Sequence, residues 1–231
     1  MNLYYSLYNE KHPERKQELE KCFELNIRAG FDRVFLFGEK NDMEYLNGLV
    51  EKHASSTDTK IHVVQIPMRA EFQHFFKKGD EYPDSINVCC NADIFFLPET
   101  VNQLKGITWT DKLAVCLSRW DVASFNQDGS IKVTHHLNRH DSQDVYAWFG
   151  KCTARGFFNI GYAGCDNRCC FEFKNAKYRV VNPSVDIKIY HLHLVKVINY
   201  REGGNPDGPV KGEQVVPPPY HFVQPCRLID V

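Results

Sequence analysis

The apolar positions of this chain change period several times. Leu3 to Leu7 form a short apolar run of strand length. After Pro13 the apolar residues recur at Leu19, Cys22, Phe23 and Ile27 before Gly30, which predicts an amphipathic helix with proline in its first turn. RVFLFG, 33–38, is continuous again and closed by glycine, as expected of a strand covered on both faces. Met43, Leu46, Leu49, Val50 and His53 mark a second helix, and IHVVQI, 61–66, a third strand. This alternation predicts an α/β fold: a mostly parallel central sheet, right-handed crossovers and helices on both faces.

Further along, the aromatic segment EFQHFF, 71–76, precedes a fourth strand over 86–90, and Pro98 opens a further helix. The apolar run in KLAVCLSRWDV predicts one central strand over 112–122. Residues 123–139 read as polar loop, 144–149 and 167–177 carry helical signals, and 178–195 supplies late strands. From Gly203 the chain carries GGNPDGP and PPP, so we expect one domain over 1–202 and a Pro/Gly-rich tail over 203–231.

Composition narrows the class. The chain has 231 residues, 43% hydrophobic and 25% charged, which is ordinary for a folded domain. With 28 basic against 29 acidic residues there is no general footprint for nucleic acid or an anionic membrane. Nine cysteines, an odd number with adjacent pairs at 89–90 and 169–170, suit reduced buried thiols and a cytoplasmic location. There is no basic-then-apolar leader and no run of about 18 apolar residues, so a membrane-bound acceptor would have to come to the protein surface.

Candidate chemistry begins with Asp93 in NVCCNADIFFLPE, a carboxylate wedged between apolar residues just beyond the fourth strand. In open α/β sheets ligands bind at such strand ends, where a carboxylate holds a hard cation shared with a phosphate. The alternative is a turn-capping aspartate. In YHLHL, His191 and His193 share one face of a strand, as core residues or as imidazole ligands. One carboxylate, one or two imidazoles and a diphosphate would make a manganese shell. Asp166 follows Gly161 and Gly164 at an expected helix start, as a cap or as a general base.

With NAD, GCDNR and YHLH in this order, the chain resembles nucleotide-sugar-dependent glycosyltransferases of the GT-A fold. It is similar above all to small domains of bacterial polysaccharide clusters and large DNA viruses. The resemblance covers about residues 1–202 and rests on CNADIFF, LSRWDV, SQDVYAWF, GCDNR and NPSVDIKIYHLH. It implies metal-dependent, inverting transfer of a sugar from a nucleoside diphosphate donor, UDP-linked, to a hydroxyl of a glycan or glycoprotein acceptor. The family's metal motif is two acids one residue apart; here the triplet is Asn91-Ala92-Asp93, so the first acid is missing and the metal role passes to Asp93 alone. The resemblance also implies that a late-strand histidine, here His191 or His193, completes a Mn²⁺ or Mg²⁺ shell. In the place of the family's Glu-Asp base pair stands Cys165-Asp166, which makes Asp166 the first candidate base; Asp144 is the second.

Arg69 is a candidate contact for base or diphosphate, Phe72 for packing on the base, and Arg119 and Asp121 for the donor sugar, each against a plain structural role. Trp120 and Trp148 are candidates for stacking on sugar, set against the usual place of large aromatics in a core. His135, His136 and His140 read as solvated loop residues. Two rivals remain. One is a nucleotidyltransferase acting on sugar phosphates, which would want at least two acids at the metal. The other is a non-catalytic module stabilised by zinc on Cys165, Cys169, Cys170, His191 and His193, although that spacing is not a usual closed pattern.

Overall fold

A computed structural model describes residues 1–135, 139–195 and 214–231. Its centre is a seven-stranded sheet. β1 (Asn2–Ser6) pairs in parallel with β2 (Arg33–Glu39) and, on its other side, with β4 (Ile86–Cys90). β3 (Lys60–Ile66) extends the β2 edge in parallel. Beyond β4, β9 (Gln143–Phe149) runs antiparallel to both β4 and β6 (Leu113–Ser118), and β10 (Arg179–Val181) closes the edge parallel to β6. The order is β10-β6-β9-β4-β1-β2-β3, so only β9 opposes the common direction.

Side chains alternate across this sheet as strand geometry requires. Leu3 and Tyr5 of β1, Val34 and Leu36 of β2, and Val88 and Cys90 of β4 enter one core with Leu19, Phe23 and Ile27 of α1 (Pro13–Arg28). The same core takes Leu46 and Leu49 of α2 (Met43–His53) and Val101 and Leu104 of α4 (Pro98–Lys105). Tyr4, Phe35, Phe37 and Cys89 point the other way, against Phe72, Phe75 and Phe76 of α3 (Phe72–Gly79) and Cys165, Cys169, Cys170 and Phe173 of α5 (Cys165–Asn175). Helices therefore cover both faces. α1 ends as expected: Gly30 takes φ +96°, a left-handed conformation that favours glycine.

Several expectations are corrected. Residues 144–149 are not helical but belong to β9, where Val145 and Ala147 face one core while Tyr146 and Trp148 face the other. A short strand buried on both sides is apolar throughout and gives no period that separates it from a helix. The single strand expected over 112–122 is two. After β6 the chain leaves the central sheet at Arg119 and enters β7 (Trp120–Phe125) of a second sheet, ordered β5-β11-β7-β8, with β5 (Ile94–Phe95), β8 (Ile131–His135) and β11 (Tyr190–His191). The expected loop over 123–139 is largely a hairpin, in which β7 pairs antiparallel with β8.

All nine cysteines are free, seven of them buried. His136 and residues 203–213 of the expected tail lie outside the described residues. Residues 214–231 run back along the body. Val216 donates to the Ala163 carbonyl and Cys226 to that of Asn182, and the Val216 and Val223 side chains are buried. Among the described residues no helix is long and apolar enough to cross a membrane.

Candidate active site

From β1 the strand order runs outward to β2 and β3 on one side and to β4 on the other, so the order reverses between β1 and β4. A cavity of about 460 Å³ opens there. Its wall is built from residues just past the strand ends: Ser6 to Tyr8 after β1, Phe37 to Glu39 on β2, and Asn91 to Asp93 after β4. Arg15, Arg69, Arg119, His191 and His193 also line it.

Asp93 is held where it is by backbone on both sides. The buried Asn26 side chain donates to the Ile94 carbonyl and accepts from Phe96 N–H, both at 2.9 Å, which fixes the short β5. β11 pairs antiparallel with β5, and Leu192 N–H donates to the Asp93 carbonyl at 2.9 Å. This pairing brings His191 to Asp93 across 98 residues of chain: Nε2 lies 3.2 Å from Asp93 Oδ2, and His193 Nδ1 lies 4.0 Å from the same oxygen. One ligand atom from each of the three lies within 4.8 Å of the other two, and among the described residues no cysteine joins such a group. Cys165, Cys169 and Cys170 instead pack in the aromatic core around Phe72. The proposed zinc set is therefore not brought together.

His191 Nδ1 meets Asp121 Oδ1 at 2.7 Å. Asp121 thus stands behind the imidazole and does not line the cavity. A carboxylate on Nδ1 holds that nitrogen as the donor and turns Nε2 towards Asp93. Burial works against a charged His191, but the Asp93 and Asp121 carboxylates outweigh it and push the imidazole up to about 9. For Asp93, burial would raise the carboxyl, yet His191 and the Arg15 guanidinium hold it well below the usual carboxylate range.

Arg15, from α1, donates through Nη2 to Asp93 Oδ2 at 2.5 Å and through Nη1 to Glu18 Oε2 and the Leu192 carbonyl, each at 2.7 Å. Glu18 Oε1 in turn accepts from Leu194 and Val195 N–H. Neither residue figures in the sequence reading. A signal exists: Arg15 and Glu18 continue the buried stripe of Leu19, Cys22, Phe23, Asn26 and Ile27 backwards by one turn.

A second carboxylate cluster adjoins the first through Arg119, whose Nε is 3.0 Å from Asp121 Oδ1 and whose Nη1 is 3.3 Å from Asp144 Oδ1. Asn91 also donates to Asp144 Oδ1, at 2.7 Å, so the amide that replaces the missing acid ties β4 to β9. Asp144 is 3% exposed, and neither it nor Asp166 lines the cavity. Asp166, in the first turn of α5, feels the charges of Asp144 and Arg119. Desolvation, then the Asp144 charge, push its carboxyl up to about 7.

The remaining expected contacts divide. Arg69 lies on the cavity wall, its guanidinium 4.8 Å from the centre of the Tyr162 ring. Ala92 lines the wall as well. Phe72 does not: it is fully buried among Phe75, Phe76, Tyr146 and Phe158, so it supports the floor of the fold and has no face for a base. Trp148 is likewise fully buried, and its indole N–H donates to the Gly150 carbonyl. Trp120 packs under Lys188, and its indole N–H donates to the Ser184 carbonyl.

The chain matches no known family model and no curated protein. Among solved structures it is similar in fold to S. aureus TarS 1-349 in complex with UDP-GlcNAc, at a TM-score of 0.52 and 10% identity, covering 85% of this chain and 59% of that one. It is also similar to the mannosyltransferase PcManGT from Pyrobaculum calidifontis in complex with GDP-Man and Mn²⁺ (TM-score 0.49, 15% identity, 84% and 56% covered). A third is HddC from Yersinia pseudotuberculosis (TM-score 0.40, 11% identity, 64% and 76% covered). This chain therefore spans a little over half the length of the TarS 1-349 and PcManGT chains. Together with the sheet order, the likeness to TarS establishes a GT-A type fold.

Proposed function

We propose that this protein is a metal-dependent glycosyltransferase. It moves a sugar from a nucleoside diphosphate donor, UDP-linked on the family resemblance, to a hydroxyl of a glycan or glycoprotein, with inversion. It acts in the cytoplasm in polysaccharide assembly, as a member of the small GT-A group of bacterial and viral domains. The observation that carries this reading is the meeting of Asp93, His191 and His193 at the point where the strand order reverses.

The residues fit a divalent cation, Mn²⁺ or Mg²⁺. They offer one carboxylate oxygen and two imidazole nitrogens, with Nε2 of His191 already turned inward by Asp121. Around them two arginines, Arg15 and Arg119, stand against four carboxylates, Glu18, Asp93, Asp121 and Asp144. Once His191 gives up its proton, as an imidazole ligand must, that set carries a surplus of negative charge that suits a doubly charged ion. Held there, a cation would stabilise the charge that develops on the departing diphosphate.

The chain's own groups divide the remaining work. Arg69, on the cavity wall, contacts the diphosphate or base. Arg119 orients Asp144 and Asp121 together. Asp144, already accepting from Asn91 and Arg119, is suited to holding rather than to taking a proton. On the family resemblance Asp166 is the base, its carboxyl pushed up to about 7: it takes the acceptor hydroxyl's proton as that oxygen bonds to the anomeric carbon and the bond to the diphosphate breaks.

The test is a thermal-shift panel of nucleotide sugars with and without Mn²⁺. The right donor at a hundred times its Kd should raise the melting temperature by about 5–10 °C, and only with metal. Product analysis then separates the chemistries. Release of nucleoside diphosphate with sugar transfer supports the reading, whereas pyrophosphate released from a nucleoside triphosphate and a sugar phosphate would mark nucleotidyl transfer.

A further inference from the structure

Arg15 has an odd position for a residue with no part in the work above. It is 5% exposed, it lines the cavity, and it occupies the same Asp93 oxygen that faces His191 Nε2. A guanidinium cannot shed its proton, so in the free protein Asp93 is neutralised by a residue of the chain itself. A cation approaching Oδ2 meets a fixed positive charge already in contact with that oxygen. Buried charge can be left there only if both partners keep counter-charges throughout.

Given the reading of Asp93 as a cation ligand, on which this inference rests, we propose that Arg15 is a diphosphate-binding residue. It keeps the cation's place on Asp93 in the free protein, and passes to a phosphate oxygen when metal and diphosphate arrive together. The geometry allows an exchange without release of the side chain. Nη1 stays pinned between Glu18 Oε2 and the Leu192 carbonyl, while Nη2, which holds Asp93, is the end on offer to a new acceptor. Glu18 is independently fixed by Leu194 and Val195 N–H, so the pivot does not move with the ligand. The ligand chemistry is that of a doubly anionic oxygen cluster, for which a guanidinium is a good match. The consequence is coupling: metal alone binds poorly, diphosphate alone binds poorly, and each improves the other by the same factor.

Mn²⁺ binding, followed by the electron paramagnetic resonance signal of the free ion, tests this with inorganic pyrophosphate as a probe free of any base or sugar. Values are corrected for the manganese pyrophosphate complex in solution. In the wild type, pyrophosphate should tighten Mn²⁺ binding by about tenfold or more, the scale of one close charge in a partly hydrated site. Arg15→Gln should change the two affinities in opposite directions, with Mn²⁺ alone bound about tenfold more tightly and most of the pyrophosphate enhancement lost. Arg15→Lys, which keeps a charge in a smaller head, should lie between and carries the test if the glutamine variant does not fold. A merely structural arginine would weaken both affinities together, and that result in both variants overturns the proposal. Asp93→Asn separates this failure from a deeper one. If Mn²⁺ binds that variant as well as it binds the wild type, the metal site itself is elsewhere.

Discussion

Two carboxylate clusters share Arg119 and differ in almost every other respect. Around Asp93 the acid stands among Arg15, His191 and His193, and its carboxyl is held well below the usual range. Around Asp166 the nearest charge that matters most is another carboxylate, Asp144, and with desolvation it lifts the group to about 7. The same side chain is thus set to stay ionised in one place and to take up a proton near neutrality in the other. Environment divides the labour between them: one cluster can hold cationic charge, and the other can exchange a proton.

The comparison breaks most sharply at Asp93. Asp93→Ala should lower transfer by about 10³-fold or more, because a bound Lewis acid supplies several kcal/mol of stabilisation to the leaving group. Steady-state rates with and without Mn²⁺ check it, and the variant should no longer respond to the metal. A variant as active and as metal-responsive as the wild type would dissolve the distinction between the clusters.

At the other cluster, Asp166→Asn should lower the rate by about 10²- to 10⁴-fold while leaving Mn²⁺ affinity unchanged. In the wild type, kcat/KM should rise with pH through about 7 as Asp166 ionises. Stability should move the other way. The folded protein holds the Asp166 proton to higher pH than an unfolded chain does, so this group's contribution declines as pH rises from about 4 through about 7. The asparagine variant should therefore gain melting temperature over the wild type at pH 8 and not at pH 4, which differential scanning calorimetry reads directly. Equal gains at both pH values would place the titration elsewhere.

The smallest effect concerns the residue behind the imidazole. Asp121→Asn should cost about 10- to 100-fold in Mn²⁺ affinity, since Nδ1 of His191 loses the carboxylate that fixes its orientation. Isothermal titration calorimetry checks it, and unchanged affinity would mean that Asp121 serves only Arg119.

What the sequence made legible follows from range. The strands β1 to β4 and the helices α1, α2 and α4 have clean periods and obvious stops such as Pro13 and Gly30, and their outlines are readable without coordinates. β9 was not, because VYAWF packs against both cores and carries no period. Asp93 could be found from its intrusion into an apolar run. Its partners lie farther off. Asp121 meets His191 across 70 residues, and Arg15 meets Asp93 across 78. On a helix, an arginine reads as solvated until the buried stripe is seen to include it. Asn91 shows the converse limit: the missing acid is visible in the sequence, while the carboxylate it holds, Asp144, belongs to a strand whose local pattern reads as helix.

The most direct measurement is an anomalous difference map from crystals grown with Mn²⁺ and the nucleoside diphosphate chosen by the thermal panel. The account predicts a manganese peak about 2.0–2.3 Å from the Asp93 carboxylate and from Nε2 of His191, with the diphosphate completing its shell. A diphosphate seated in the cavity with no manganese at Asp93, and Arg15 still closed on that carboxylate, would contradict it.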